Sequence, residues 1–106
     1  MALKPVVFEV LLALADAPRH GWGLVREVEA RLDSGPLLPG NFYRTLRRLL
    51  ADGLIEEAPQ PDTATGDERR RYFRLTAHGE RVARAEAKRL AARVADARLR
   101  RLLKAR

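Results

Sequence analysis

The strongest constraint in this sequence is a spacing: through its first half, apolar residues recur every three or four positions, and Pro/Gly clusters cut that rhythm into three short pieces. Such a period puts apolar side chains on one face of an α-helix, and a run of short helices of this kind folds by laying those faces together. In residues 5–15 the pattern is carried by Val6, Val7, Val10, Leu11 and Leu14, which predicts a first helix. Pro18 and Gly21 mark a turn, after which Leu24, Val25, Val28 and Leu32 predict a second helix over about 22–32. Asp33-Ser34-Gly35-Pro36 breaks the chain again. Pro39 then suits the first turn of a third helix that ends near Asp52, with Gly53 as its stop.

Beyond Gly53 the rhythm changes. Residues 54–58 are brief, and residues 71–75 alternate polar Arg71 and Arg74 with aromatic Tyr72 and Phe73, so the two read as strands of a hairpin. The connection, residues 59–70, holds Pro59, Pro61, Gly66 and several Asp and Thr, a composition too polar and too interrupted to pack, which predicts an exposed wing. Thr76 is placed as an N-cap, and 77–106 contains no proline and no glycine after Gly79, which predicts one long terminal helix. The expected fold is therefore mainly α with a small β-hairpin. Residues 1–76 form a winged helix-turn-helix, and 77–106 form a C-terminal dimerisation helix. There is no internal repeat.

At 106 residues the core is small, and a partner subunit would help it. With no cysteine, disulfides, thiolate catalysis and thiolate metal sites are excluded together. The longest apolar stretch near the start is interrupted by Glu9 and falls far short of the roughly 20 residues that span a bilayer. It also lacks the leader and cleavage site of a signal peptide, so the expected location is cytoplasmic, with no membrane partner. The net charge of +7 fits a polyanionic partner, but its distribution matters more. Residues 1–76 carry 11 basic and 11 acidic side chains, whereas 77–106 carry 10 and 3. The whole excess belongs to the last helix. Within the neutral part, positive charge gathers at Arg44, Arg47 and Arg48, and again at Arg69, Arg70, Arg71 and Arg74.

At about 100° per residue, Phe42, Leu46, Leu49 and Leu50 of the third helix fall on one stripe wide enough to face a core. The opposite face carries Asn41, Arg44, Thr45 and Arg48, with Arg47 at its edge. These side chains suit base edges: Arg for guanine, Asn for adenine, Thr for a thymine methyl. A solvated surface also carries Arg and Asn, yet this helix has three arginines and no acidic residue before Asp52, forgoing the charge pairing usual on solvated helices. It also follows its predecessor through a short turn, as a helix-turn-helix requires. Tyr43 lies beside the apolar stripe, where its ring can pack and its hydroxyl reach a phosphate. Arg69, Arg70 and Arg71, at the foot of the wing, would meet sugar-phosphate backbone; pairing with Glu56, Glu57, Asp67 and Glu68 is the competing use for them.

Nothing here looks like an enzyme: His20 and His78 sit by glycine-containing turns without a Ser, Cys or carboxylate at catalytic or metal-ligand spacing, and there is no phosphate-binding loop. No cofactor and no metal are expected. In the last helix, Ala83, Ala87, Leu90, Val94 and Ala97 follow a four-three spacing that can form a seam with a second copy, extended by Leu99, Leu102 and Leu103. Its basic outer face reads as a solvated surface or a direct DNA contact; as a membrane-surface helix it lacks Trp and Phe anchors.

Taken together, several segments resemble the PadR family of bacterial transcriptional regulators, in particular its short members with one C-terminal helix. They are Leu12-Ala13-Leu14, His20-Gly21-Trp22-Gly23-Leu24, Leu38 to Leu46, Gly53-Leu54-Ile55, and Arg70 to Thr76 followed by Gly79. The resemblance implies a homodimer joined through the C-terminal helix, a two-fold double-stranded DNA operator, and repression relieved by a small aromatic or hydrophobic effector. Trp22 stands where the family usually has Tyr, and the alanine-rich seam implies a tight dimer without an aromatic-lined pore. Two other readings stay open: a winged-helix module that binds a protein or RNA partner without operator specificity, and a protein that is chiefly a ligand sensor.

Overall fold

The computed structural model of the chain describes residues 3–32, 37–59 and 71–104. Along them run α1 (Pro5–Asp16), β1 (Arg19–His20), α2 (Gly21–Arg31), α3 (Pro39–Ala51), β2 (Ile55–Ala58), β3 (Tyr72–Leu75) and α4 (Ala77–Leu99). Pro5 and Pro39 open α1 and α3 in the first turn, where a missing N–H costs nothing. The first three helices place their apolar faces together: Val10, Leu11 and Leu14 from α1, Leu24, Val25 and Val28 from α2, and Phe42, Leu46 and Leu49 from α3 are all buried. Ile55 and Phe73 close this core from the sheet. Each such side chain contributes about 1.5–3 kcal/mol by leaving water.

The expected two-stranded hairpin is a three-stranded antiparallel sheet, ordered β1-β3-β2. The extra strand comes from the turn after α1. Ala17, which precedes Pro18, is extended (φ −165°, ψ 157°), as a residue before proline prefers, and this launches Arg19 and His20 alongside Phe73 and Tyr72. Arg19 is anchored on both sides: its Nε donates to the Ala13 carbonyl at 2.7 Å, and its Nη1 pairs with Glu27 at 3.1 Å. On the other edge Glu56 stands opposite Arg74 and Glu57 opposite Phe73.

α3 ends in a Schellman closure: the Gly53 N–H donates to Leu50 and that of Leu54 to Leu49, at 3.1 and 3.0 Å. Gly53 takes the left-handed conformation this needs, at φ +74°. The same turn receives the start of α4. The Thr76 hydroxyl accepts from the Gly79 N–H at 2.9 Å, capping α4, and donates to the Gly53 carbonyl at 2.5 Å. Gly79 lies so close to Leu54 that a Cβ there would overlap the Leu54 carbonyl oxygen.

α4 is shorter than the sequence indicates. It stops at Leu99, and Arg101 turns left-handed at φ 65°. The Arg101 and Leu102 N–H groups donate back to Arg98 and Ala97 at 3.0 and 2.8 Å, a second Schellman closure with arginine where glycine is usual. Leu102 and Leu103 therefore lie past the helix and do not extend its apolar face.

Candidate nucleic-acid interface

α3 divides its two faces as its sequence predicts. Phe42, Leu46 and Leu49 are buried and Leu50 is half-buried, while Asn41, Arg44, Arg47 and Arg48 are exposed and Thr45 is half-buried. The exposed side chains are partly organised among themselves. Arg44 Nη1 donates to Asn41 Oδ1 at 3.2 Å, one turn back. The Thr45 hydroxyl donates to the Asn41 carbonyl at 3.1 Å, which leaves its methyl as the group not already bonded. Arg48 approaches Asp52 at 3.7 Å, a weak exposed pair. Among the described residues, Arg44 and Arg47 take part in no ion pair.

Tyr43 is held in place from below. Its ring meets Phe42 edge-on, with centroids 6.2 Å apart, and lies over Gly21, where a Cβ would come within 3.0 Å of Tyr43 Cε1. Gly21 opens α2, whose N-terminus is capped by a residue of unusual type: His20 Nδ1 accepts from the Gly23 N–H at 3.0 Å, and the imidazole stands edge-on to Tyr72 at 5.5 Å. The route into α3 is fixed by Glu29, whose carboxylate accepts the Leu37 N–H at 2.7 Å.

At the foot of the wing, Arg71 is exposed and pairs with Glu57, while its guanidinium also lies 5.5 Å from the Phe73 ring. Arg74 pairs with Glu56 at 2.9 Å. Cross-strand pairing, the competing use for these arginines, is thus how both are held. Arg69 and Arg70, with the rest of the expected wing tip, lie outside the described residues.

One contributor was not among the expected site residues. Trp22 is 54 % exposed, with the Arg26 guanidinium 6.0 Å from its ring. With Tyr43, Leu50, Phe73, Arg47 and Arg71 it lines a cleft of about 530 Å³ beside α3. A Trp at the second position of a helix, one step from an opening glycine, was the available signal.

Along α4 the seam residues divide. Ala83 packs with Val82 against the chain's own core, Leu90 and Ala97 are half-buried, and Ala87 and Val94 are exposed. Leu99, at 83 % exposure, and Leu102, at 77 %, are uncovered. Glu86 is buried on this helix, bound by Arg89 through two hydrogen bonds of 2.8 Å. That bond holds the Glu86 carboxyl below its ordinary value against the opposing effect of burial, with help from the Arg89 charge and the Leu3 N–H. Arg84 pairs with Glu80, and Arg93 and Arg100 share Asp96, so each acidic residue of α4 is paired and the basic excess remains. Among the described residues, no helix is long and apolar enough to cross a membrane, and no three His, Asp or Glu side chains are grouped to hold a metal.

Residues 10–85, well over half of the chain, match the model of the transcriptional regulator PadR-like family. The fold is similar to a PadR family transcription regulator from hypervirulent Clostridium difficile R20291: TM-score 0.73 at 21% identity, covering 91% of this chain and 99% of that one. It is also similar to RosR of H. salinarum, TM-score 0.70 at 21% identity over 86% and 76% of the two chains. Lactococcus lactis ZitR, as its C30AH42A mutant, gives 0.68 at 20% identity over 91% and 58%. At these identities the likeness speaks for the fold. No curated protein matches the sequence.

Proposed function

The chain belongs to the PadR-like family of transcriptional regulators, and from that premise we propose that it binds an operator in double-stranded DNA as a homodimer, with α3 in the major groove. The observation that carries the reading is the outer face of α3, where Asn41, Arg44, Thr45 and Arg48 stand together over a buried apolar stripe. Arg44 and Asn41 read base edges, Thr45 offers a methyl, and Tyr43, Arg47, Arg69, Arg70 and Arg71 hold sugar-phosphate backbone. The Arg44–Asn41 hydrogen bond limits the rotamers that both must fix on binding, so less conformational entropy is lost at the groove.

Residues 1–76 carry DNA contact in this reading, and 77–106 carry dimerisation through Ala87, Leu90, Val94 and Ala97. Ala83 contributes at the inner end of the seam, where it also meets its own core. The exposed leucines of the C-terminal segment and the small intramolecular core favour a second copy. The family supports a cytoplasmic regulator without catalytic activity, acting as a repressor released by a small hydrophobic or aromatic effector.

Selection of genomic fragments by the purified protein tests this directly. Recovered sites should be two-fold, with half-sites about one helical turn or a multiple of it apart. Arg44→Ala or Asn41→Ala should relax preference at one position per half-site by about 1–3 kcal/mol, whereas Arg70→Ala should weaken all sequences alike. Equal binding of every duplex overturns operator recognition and leaves the protein- or RNA-binding module.

A further inference from the structure

Two arginines at the foot of the wing are held by consecutive glutamates of β2, and the two pairs lie on opposite faces of the sheet, since side chains alternate along a strand. Glu56 stands opposite Arg74, and that pair closes at 2.9 Å. Glu57 stands opposite Phe73, and one of its oxygens, Oε1, accepts from both Nε and Nη2 of Arg71, two residues away on the same face. The surroundings of the pairs differ. Arg74 reaches a groove toward α1 and α4 that Asp16, Glu80 and Arg84 also line. Arg71 lies with Arg47 in the cleft beside α3, so its pair adjoins the candidate nucleic-acid interface. A carboxylate oxygen bonded to two guanidinium N–H groups fills the place that a phosphate oxygen would take. The side chains of Arg71 and Glu57 are 63% and 56% exposed, which makes the pair weak enough to exchange for another anion.

We propose that Glu57 is an internal competitor with phosphate for Arg71, and that it sets how firmly the chain holds any polyanion. A polyanion gains Arg71 only by displacing Glu57, and the displaced carboxylate then stands beside the incoming negative charge. Both effects weaken binding, and neither depends on base sequence. Arg44, which stands on the outer face of α3, takes part in no ion pair among the described residues, so base reading is not taxed in this way. Restraint of this kind keeps a regulator from being titrated away by the excess of random sites that any genome presents. That the displaced contact belongs to an operator rests on the reading above; the competition for Arg71 does not.

The test titrates the full chain with heparin and with a random-sequence duplex by calorimetry over a range of salt concentrations. Glu57→Gln should bind both about threefold or more tightly at low salt, the scale of one exposed ion pair. Its plot of log affinity against log salt for the duplex should steepen by about one, the mark of one further phosphate engaged. Glu56→Gln adds the same charge on the other face of the sheet and should tighten binding by less than about twofold, because its effect is screened by distance. In an Arg71→Gln background, Glu57→Gln should lose its gain. Both glutamates are exposed and glutamine keeps their shape; a variant that merely loosened the sheet would bind more weakly, not more tightly. Equal binding by Glu56→Gln and Glu57→Gln to either polyanion overturns the proposal, as does a gain that survives without Arg71. A gain on heparin that meets these expectations in a protein that binds no duplex would support the competition and refute the operator reading instead.

Discussion

Replacing Thr76 by valine keeps the shape of the side chain and removes one hydroxyl, and that hydroxyl serves two elements. It caps α4 by accepting the Gly79 N–H, and it ties α4 to the end of α3 by donating to the Gly53 carbonyl. Loss of an N-cap costs about 1 kcal/mol. Loss of the second hydrogen bond adds about another 1 kcal/mol, moderated because the Gly53 carbonyl can turn to water, whereas the buried Gly79 N–H cannot. The sum, about 2 kcal/mol, corresponds to a fall of roughly 10 °C in Tm for a domain of this size. Thermal and urea unfolding followed by far-UV circular dichroism, at one fixed protomer concentration, measures it. Thr76→Ser, which retains the hydroxyl, should stay within about 0.5 kcal/mol of the unsubstituted protein. A valine variant as stable as the unsubstituted protein, or a serine variant as unstable as the valine one, would refute the reasoning.

Gly79→Ala should be more damaging than Thr76→Val, about 3 kcal/mol or more, because its Cβ meets backbone, which cannot rotate away; thermal unfolding ranks the two. Arg101→Gly should stabilise the end of α4 by about 1 kcal/mol by relieving the left-handed arginine, seen as slower amide exchange at residues 96–102. Glu86 has a lowered carboxyl pKa in the folded chain, so its contribution to stability is present above the ordinary carboxylate value and is lost as pH falls through the folded value. A Glu86→Gln variant should therefore show a shallower loss of stability on acidification, measured by urea unfolding across that range.

The helical half of the fold was legible because its signal is local. The three-four spacing of Val10, Leu14, Leu24, Val28, Leu46 and Leu49 needs no partner to be read, and all six are buried. β1 was not legible: Arg19 and His20 have no strand pattern of their own and become a strand only because Pro18 extends the chain beside β3. The end of α4 was hidden for the opposite reason. A left-handed stop is advertised by glycine, as Gly53 advertises the end of α3, and Arg101 gives no such signal. In the candidate site, the two faces of α3 could be read from periodicity. Two facts depend on register and tertiary placement instead: that Arg71 meets Glu57, and that Trp22 shares a cleft with Arg47, a residue 25 positions away in sequence.

The junction of Gly53, Leu54, Thr76 and Gly79 fastens the end of α3 directly to the start of α4. The last turn of one helix and the first turn of the other share a hydroxyl, a carbonyl and a van der Waals surface. In an assembly paired along α4, such a joint makes the chain a ruler. In that assembly the separation and tilt of the two α3 helices would be set by where the α4 helices cross, with little slack for adapting to half-sites at another spacing. A change of one turn in the α4 pairing register would move the reading heads together by about 5.4 Å, enough to put them out of phase with the groove.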